Sequence, residues 1–306
     1  MSYESVTLYQ EITVDKIYSV HYFEYMNDFS FDGESHDFWE FLCVDKGEVE
    51  VTSGSTNYML KKGEIIFHKP NEFHSVRANG KTAPNLVVIS FACDSPAMEF
   101  FNDKILNINE KERKLLGTII REAPRVFEGR LDDPYQKKLI LKQDIPPGSM
   151  QIIKQSLELA LLFLMRRYCG LCTLTDESTP PASSKLTTLN ADTEIYNRII
   201  NYMEKHIHTS LSIDELCRDT LVGRSKAQKL FRDRNNCGVI NYFSSMKIDM
   251  AKELIRNQDM NFTQISDILG YTSIHYFSRQ FKKITGMTPS EYASSIKGIS
   301  EKKESV

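Results

Sequence analysis

The sequence predicts a multidomain α and β protein. An N-terminal β-barrel is expected over residues 1–95, a helical linker and dimerisation region over 96–168, and a flexible linker over 169–190. A C-terminal all-α domain with two helix-turn-helix units is expected over 191–297. Three observations predict this. Short runs of β-branched and aromatic residues, separated by turn formers, fill the first 94 residues. Two segments with helical periodicity follow. From Ala191 onward one helical pattern succeeds another, punctuated by Gly and Asn. With 306 residues, 41% of them hydrophobic, the chain can build more than one core.

The strands are expected at 6–8, 17–25, 38–44, 48–52, 58–60, 64–68 and 86–91. The turns between them are marked by Asp32-Gly33, Lys46-Gly47, Ser53-Gly54, Lys62-Gly63, Lys69-Pro70 and Asn79-Gly80. Several short strands at this spacing make a sandwich or a barrel. Residues 109–127 then form a helix with Leu115, Leu116, Ile119 and Ile120 on one side. Residues 148–168 form a second, apolar almost all round between Leu157 and Met165. A helix of that kind is buried, in a core or against a partner chain. Residues 128–147 hold several turn formers and read as a loop. The run Thr179-Pro180-Pro181-Ala182-Ser183-Ser184 marks the linker. Cys169 and Cys172 make a single C-x-x-C with no second pair at metal spacing, so neither a zinc nor a redox role is expected.

In the C-terminal part, Ser212 and Glu215 offer a capping box for a helix over 213–219, with Leu216 and Cys217 inward. A break at Leu221-Val222-Gly223 leads to a helix over 224–234 whose apolar stripe is Ala227, Leu230 and Phe231. The layout recurs. A helix over 262–269, with Ile265, Ile268 and Leu269 inward, ends at Gly270. Ser273 then caps a helix over 274–284 with the stripe Phe277, Phe281 and Ile284. Two short helices joined by a tight turn can set the second helix in a DNA major groove. A helix over 240–257, about 26 Å long, can hold the two units about one duplex turn, roughly 34 Å, apart.

The net charge of −3 hides an asymmetry. From Ala191 to the end 17 Lys and Arg stand against 14 Asp and Glu, and before it 21 stand against 27. The mildly basic tail is weak support for a nucleic-acid partner. No apolar run reaches the roughly 18–20 residues of a membrane span. The start, MSYESVTLYQ, has neither the basic nor the apolar region of a signal peptide. No membrane association is therefore expected. Six cysteines at irregular spacing do not read as a disulfide framework, which points to the reducing cytoplasm. No Gly-rich phosphate loop, G-x-S-x-G elbow or catalytic triad is legible. Neither an enzyme activity nor a cofactor is expected.

One stretch carries a resemblance. It comprises Met246-Lys247-Ile248 with Ala251-Lys252-Glu253-Leu254-Ile255, Ile265-Ser266-Asp267-Ile268-Leu269-Gly270-Tyr271, Tyr276-Phe277-Ser278-Arg279-Gln280-Phe281-Lys282-Lys283, and Thr285-Gly286-Met287-Thr288-Pro289-Ser290-Glu291-Tyr292. It resembles the signature of the arabinose-regulator (AraC/XylS) family. The first unit departs from that pattern: Gly223-Arg224 stands where a Ser-Pro-like start is usual, and Ala227 where Leu is usual. The resemblance implies a transcription regulator acting on double-stranded DNA, an activator in preference to a repressor, with RNA polymerase as a further partner. A homodimer is expected through the apolar helix over 148–168. The resemblance places Ser225, Gln228 and Lys229 on the groove side of the first recognition helix. In the second it places Ile274, His275, Tyr276 and Arg279 there. Arg can bond guanine O6 and N7 together, Gln can bond adenine, and an apolar group can meet a thymine methyl. Lys282 and Lys283 are placed for phosphate. The bland alternative is that these are solvated helix faces of a protein-binding module.

At the N-terminal end, His36-x3-Glu40-x6-Gly47 resembles the first cupin motif, and Gly63-x6-Pro70-x3-His74 approximates the second. The resemblance implies a cupin-like barrel, as arabinose-regulator relatives often carry ahead of the DNA-binding part. Strand alternation puts His36, Phe38, Glu40, Leu42 and Val44 on the interior face and Trp39 on the opposite one. Three readings stay open. His36, Phe38, Glu40 and His74 can line a pocket for a small-molecule effector, a polar metabolite or sugar. His36, Glu40 and His74 can bind a metal. Or these groups merely satisfy one another. The pocket is favoured. Glu34 stands where catalytic cupins place the first His of a His-x-His pair, which counts against a metal, and none is expected. The rival to a regulator is a metal-dependent cupin enzyme with a helical appendage.

Overall fold

The computed structural model describes residues 3–133, 136, 138–169 and 184–301. It divides into an N-terminal and a C-terminal unit. The N-terminal unit is built on nine strands: β1 (Lys16–Glu24), β2 (Ser30–Glu34), β3 (Trp39–Lys46), β4 (Glu48–Ser53), β5 (Thr56–Lys61), β6 (Glu64–His68), β7 (His74–Ala78), β8 (Asn85–Ala92) and β9 (Ile105–Asn107). They form two antiparallel sheets, ordered β1-β8-β3-β6-β9 and β2-β7-β4-β5. The inner faces meet over Phe23, Leu42, Val44, Val49, Val51, Leu60, Leu86 and Val88.

The outer face of the five-stranded sheet is also covered. A 3-10 turn (Pro96–Phe101) and the helices α1 (Glu110–Val126) and α2 (Ser149–Tyr168) pack there. They bury Leu116, Ile119, Ile153, Leu157, Leu161 and Leu164 against Trp39, Phe41, Cys43, Ile65, Phe67, Ile89 and Phe91. Strands β3 and β8 are therefore buried on both faces and read as continuous apolar runs. Among the described residues the second sheet is covered on one face only, so β4 alternates half-buried and buried residues. The region expected as a helical linker thus contributes α1 and α2 to the core of the N-terminal unit.

Several expectations are corrected. Residues 6–8 form no strand, and Val6 and Leu8 are exposed. Three β-formers gain nothing from extension without a neighbour to pair with. The pair Asp32-Gly33 is not a turn but lies within β2. Phe31 pairs with Val76 and Glu34 with His74, so Asp32 and Gly33 together face Ser75 in a bulge. Gly33 takes φ +108°, and a Cβ there would stand 2.6 Å from the His74 carbonyl oxygen. Strands β2, β7 and β9 were not anticipated, because Asp, Gly, Ser, Arg and Asn in them mask the β pattern.

The C-terminal unit holds seven helices among the described residues: α3 (Ser184–Lys205), α4 (Ile213–Thr220), α5 (Arg224–Asn235), α6 (Val239–Asn257), α7 (Phe262–Ile268), α8 (Ile274–Thr285) and α9 (Pro289–Glu301). Helix α3 begins inside the segment expected as a flexible linker. Residues 170–183, with Cys172 and the two prolines, lie outside the described residues. Ser212 and Glu215 cap α4 reciprocally, and Ser273 accepts from the Tyr276 N–H at the start of α8. Gly270, at φ +64°, ends α7, where a Cβ would come within 2.4 Å of the His208 carbonyl oxygen. Ile199, Met203, Leu216, Ala227, Phe231 and Phe243 form one core.

Ile265, Leu269, Phe277, Phe281 and Tyr292 are buried around the second pair of short helices, with Phe281 5.8 Å from Phe277 and 5.5 Å from Tyr292. Ile268 and Ile284, expected inward, are both 38% exposed. Each sits at the edge of a narrow stripe filled by residues spaced four apart. Lys247 of α6 is buried and donates to the Leu269 carbonyl oxygen at 2.6 Å, between the rings of Phe243 and Tyr271. Burial pushes its ammonium pKa down to about 8. No helix among the described residues is long and apolar enough to cross a membrane.

Candidate functional site

Between the two sheets lies a cavity of about 340 Å³. Tyr18, Phe23, Tyr25, Phe29, Phe38, Leu42 and Val88 form its apolar wall. Glu34, His36, Glu40, His74 and Ser90 form its polar end. All four expected pocket residues, His36, Phe38, Glu40 and His74, line this cavity. Each arrives by a different route. Glu40 is on β3, where alternation sends Trp39 and Phe41 to the helices and Glu40 inward. His36 and Phe38 lie just before β3 and stack at 3.9 Å. His74 opens β7, and the bulge in β2 pairs Glu34 with it.

Glu40 is the centre of the polar end. The Ser90 hydroxyl donates to its Oε2 at 2.5 Å. His74 Nε2 faces Oε1 at 3.3 Å, and His36 Nε2 faces Oε2 at 3.6 Å. Burial alone pushes the Glu40 pKa up, but the two imidazoles and Ser90 outweigh it and hold the carboxyl well below its ordinary range. For His74 burial pushes down, and the Glu40 carboxylate outweighs it and raises the imidazole above its ordinary value. His68 stacks on His74 at 4.3 Å. Its pKa is lowered, chiefly by burial. Sequence reasoning missed Ser90 and His68 and counted Glu34 only as a departure. A lone Ser in the apolar run of β8, two residues beyond Val88 and in phase with it, was the available signal for Ser90.

The expected DNA-reading residues fall on two exposed helix faces. On α5, Ser225 and Lys229 are exposed and Gln228 is half-buried, opposite the buried Ala227 and Phe231. Arg232 is exposed on the same face and was not anticipated. On α8, His275, Tyr276, Arg279, Lys282 and Lys283 are exposed and Ile274 is half-buried, opposite Phe277 and Phe281. The Arg279 guanidinium lies 5.9 Å from the centre of the Tyr276 ring. Neither helix has an acidic residue in its first turn, so both N-termini keep a positive field for an anion. The two units are offset by 50 residues, Phe231 matching Phe281, which sets Arg232 where the second unit has Lys282.

Residues 16–101 match the family model described as the AraC-like ligand binding domain, and residues 216–295 match a helix-turn-helix domain. The chain belongs to the AraC family. Curated relatives match over about a third of the chain. The probable transcriptional regulator LumQ of Photobacterium leiognathi is 29% identical over 94 residues, 31% of this chain and 38% of that protein. The raffinose operon transcriptional regulatory protein RafR of Pediococcus pentosaceus is 27% identical over 104 residues, 34% and 38% of the two chains. This AraC-family chain spans between 15% and 41% of the length of the curated relatives it matches. Among solved structures, ToxT from Vibrio cholerae is 16% identical, with a TM-score of 0.34 over 92% of this chain and 97% of that one.

Proposed function

We propose that this chain is a sequence-specific transcription regulator in the cytoplasm, controlled by a small molecule that binds in the barrel cavity. The observation that carries the reading is the cavity itself, with a polar end of two histidines, a buried carboxylate and a serine inside the matched ligand-binding domain. The α8 face reads bases through Arg279, His275 and Tyr276, with Ile274 at its edge, while Lys282 and Lys283 contact phosphate. The α5 face reads through Ser225, Gln228 and Lys229, with Arg232 on phosphate. A polar metabolite fits the lining, and a sugar fits it well: hydroxyls meet the polar end and a ring face meets Tyr18 or Phe38. The names of the relatives favour a regulator over a metal-dependent enzyme.

The active form is a homodimer through α2. Ile152 and Leu159 are 40% and 42% exposed on the side of α2 away from its buried stripe, and Phe163 is half-buried beside them. An apolar row on a helix already seated in a core is a surface for a second copy. The bound dimer activates transcription through RNA polymerase. The pocket is tested by reporter dose–response curves for wild type, Glu40→Gln and His74→Ala, with DNA binding of each variant as the control. Shifted effector midpoints with unchanged DNA affinity are expected. Unchanged midpoints in both variants would leave Glu40 and the histidines as structural groups only.

A further inference from the structure

We propose that Glu34, His36, Glu40 and His74 bind one divalent transition-metal ion at the polar end of the barrel cavity. Each residue offers one ligand atom, and these four atoms lie within 4.8 Å of one another. An ion bound at about 2.0–2.2 Å from each nitrogen and oxygen holds its ligands at most about 4.4 Å apart. A tetrahedral ion spaces its ligands about 3.4 Å apart, so the widest pair of the cluster closes by about 1.4 Å at most on binding.

The histidines are already set for it. His36 Nδ1 lies 3.0 Å from the Phe38 carbonyl oxygen, and His74 Nδ1 lies 3.1 Å from that of Glu72. A carbonyl oxygen only accepts, so each Nδ1 carries a proton and each Nε2 is the atom left for the cavity. Both Nε2 atoms are buried and neither makes a hydrogen bond. His74 as a whole is 2% exposed. A histidine whose far nitrogen is held by a carbonyl, and whose near nitrogen faces a carboxylate at ion-pair distance, is in the posture of a metal ligand.

The carboxylates complete the argument. Ser90 holds Glu40 Oε2, which orients the group and leaves Oε1 towards His74. Glu34 reaches the cluster because the Gly33 bulge lets β2 gain a residue on β7. It is exposed, and so closes the site at its solvent side. Two carboxylates with two neutral imidazoles match the charge of a divalent ion. Cys43, the thiol nearest in sequence, points to the opposite face of β3, among the residues packed on the helices. A set of two nitrogens and two oxygens without sulfur fits Zn²⁺, Co²⁺, Fe²⁺ or Mn²⁺. The cluster lies at the polar end of the cavity, so on the effector-pocket reading the ion is what the effector's oxygen atoms would meet.

The test uses the full chain, stripped with a chelator and titrated with Co²⁺ followed by visible absorption and with Zn²⁺ followed by calorimetry. One ion per chain is expected, with Zn²⁺ displacing Co²⁺. His36→Ala and His74→Ala should abolish binding while keeping wild-type circular dichroism. Exposed Glu34→Gln, which leaves the core untouched, should weaken binding at least about tenfold. The proposal is overturned by the absence of a saturable site, by stoichiometric binding that survives both histidine substitutions, or by unchanged affinity in Glu34→Gln. The first two results would identify the cluster as carboxylate–imidazolium pairs, or the ion as one held elsewhere. The effector midpoint of Glu40→Gln is read separately: a shifted midpoint in a chain that binds no metal leaves the effector pocket standing.

Discussion

Gly33→Ala should unseat Glu34 while leaving most of the barrel intact. The glycine sits in the β2 bulge at φ +108°, a region where an L side chain is strained by about 1–3 kcal/mol. An added Cβ would stand 2.5 Å from Phe73 Cζ and 2.6 Å from the His74 carbonyl oxygen. The half-exposed Phe73 ring can swing aside, but the carbonyl belongs to the β2–β7 ladder and cannot. The strain and the residual overpacking together cost about 3 kcal/mol. The simplest relief is to flatten the bulge, which slips the register by one residue and turns Glu34 away from His74. Trp39 is the only tryptophan of the chain and is buried between the five-stranded sheet and its helices, so its fluorescence reports the N-terminal unit alone. With a urea slope of about 1–3 kcal/mol/M, the midpoint of that signal should fall by roughly 1–3 M. The effector midpoint, or Co²⁺ affinity, should weaken as in Glu34→Gln. If the urea midpoint stayed within about 0.2 M of wild type, the bulge would not be the constraint argued here.

Four further outcomes are expected. Arg279→Ala should cost about 1–3 kcal/mol of specific DNA affinity and relax preference at one base position. Lys282→Ala should weaken binding to all sequences and flatten the salt slope by about one unit, both read by titration over variant sites. Leu159→Glu should yield a folded monomer, seen by sedimentation at micromolar concentration. A wild type already monomeric with and without DNA would refute the α2 interface. Lys247 has a folded-state pKa near 8, below its ordinary 10.5, so the cost of burying its charge is felt in full below pH 8 and relieved as pH rises from about 8 to 10.5. Wild type should therefore gain stability relative to Lys247→Met between pH 7.5 and 10, measured by denaturation of the C-terminal unit; a difference independent of pH would show the amine to be solvated.

How much of this was legible depended on where the physics is local. The helix-turn-helix units were legible because capping, periodicity and breaks are all written within a few residues: Ser212 with Glu215, Gly270, Ser273. The inward direction of Glu40 was legible from strand alternation alone. The role of Gly33 was not, since Asp-Gly signals a turn wherever the chain is free to make one, and only pairing with β7 turns the same dipeptide into a bulge. That non-local event also hid Glu34, which one-dimensional spacing set down as a mismatch while the register placed it opposite His74. Residues 6–8 show the converse: a strand-like composition with no neighbouring strand stays unpaired. The burial of α2 was legible, but which of its sides faces the sheet was not, because apolar residues encircle it.

The double burial of β3 and β8 makes them a partition with a different tenant on each side. Glu40, Leu42 and Val88 belong to the cavity, while Trp39, Phe41 and Ile89, one residue along, belong to the seat of α1 and α2. A close-packed layer transmits displacement instead of absorbing it. A guest that rotates β3 or spreads it from β8 must therefore tilt the bed on which α2 rests, and with it the exposed row of Ile152 and Leu159. The same geometry sorts the cavity wall by its freedom to change. Substituting Leu42 or Val88 to admit a new guest disturbs the helix seat as well. Phe31 and Val76, on strands whose outer faces look to solvent, can be exchanged without that penalty. New ligand preferences in this protein should accordingly arise first along β2 and β7.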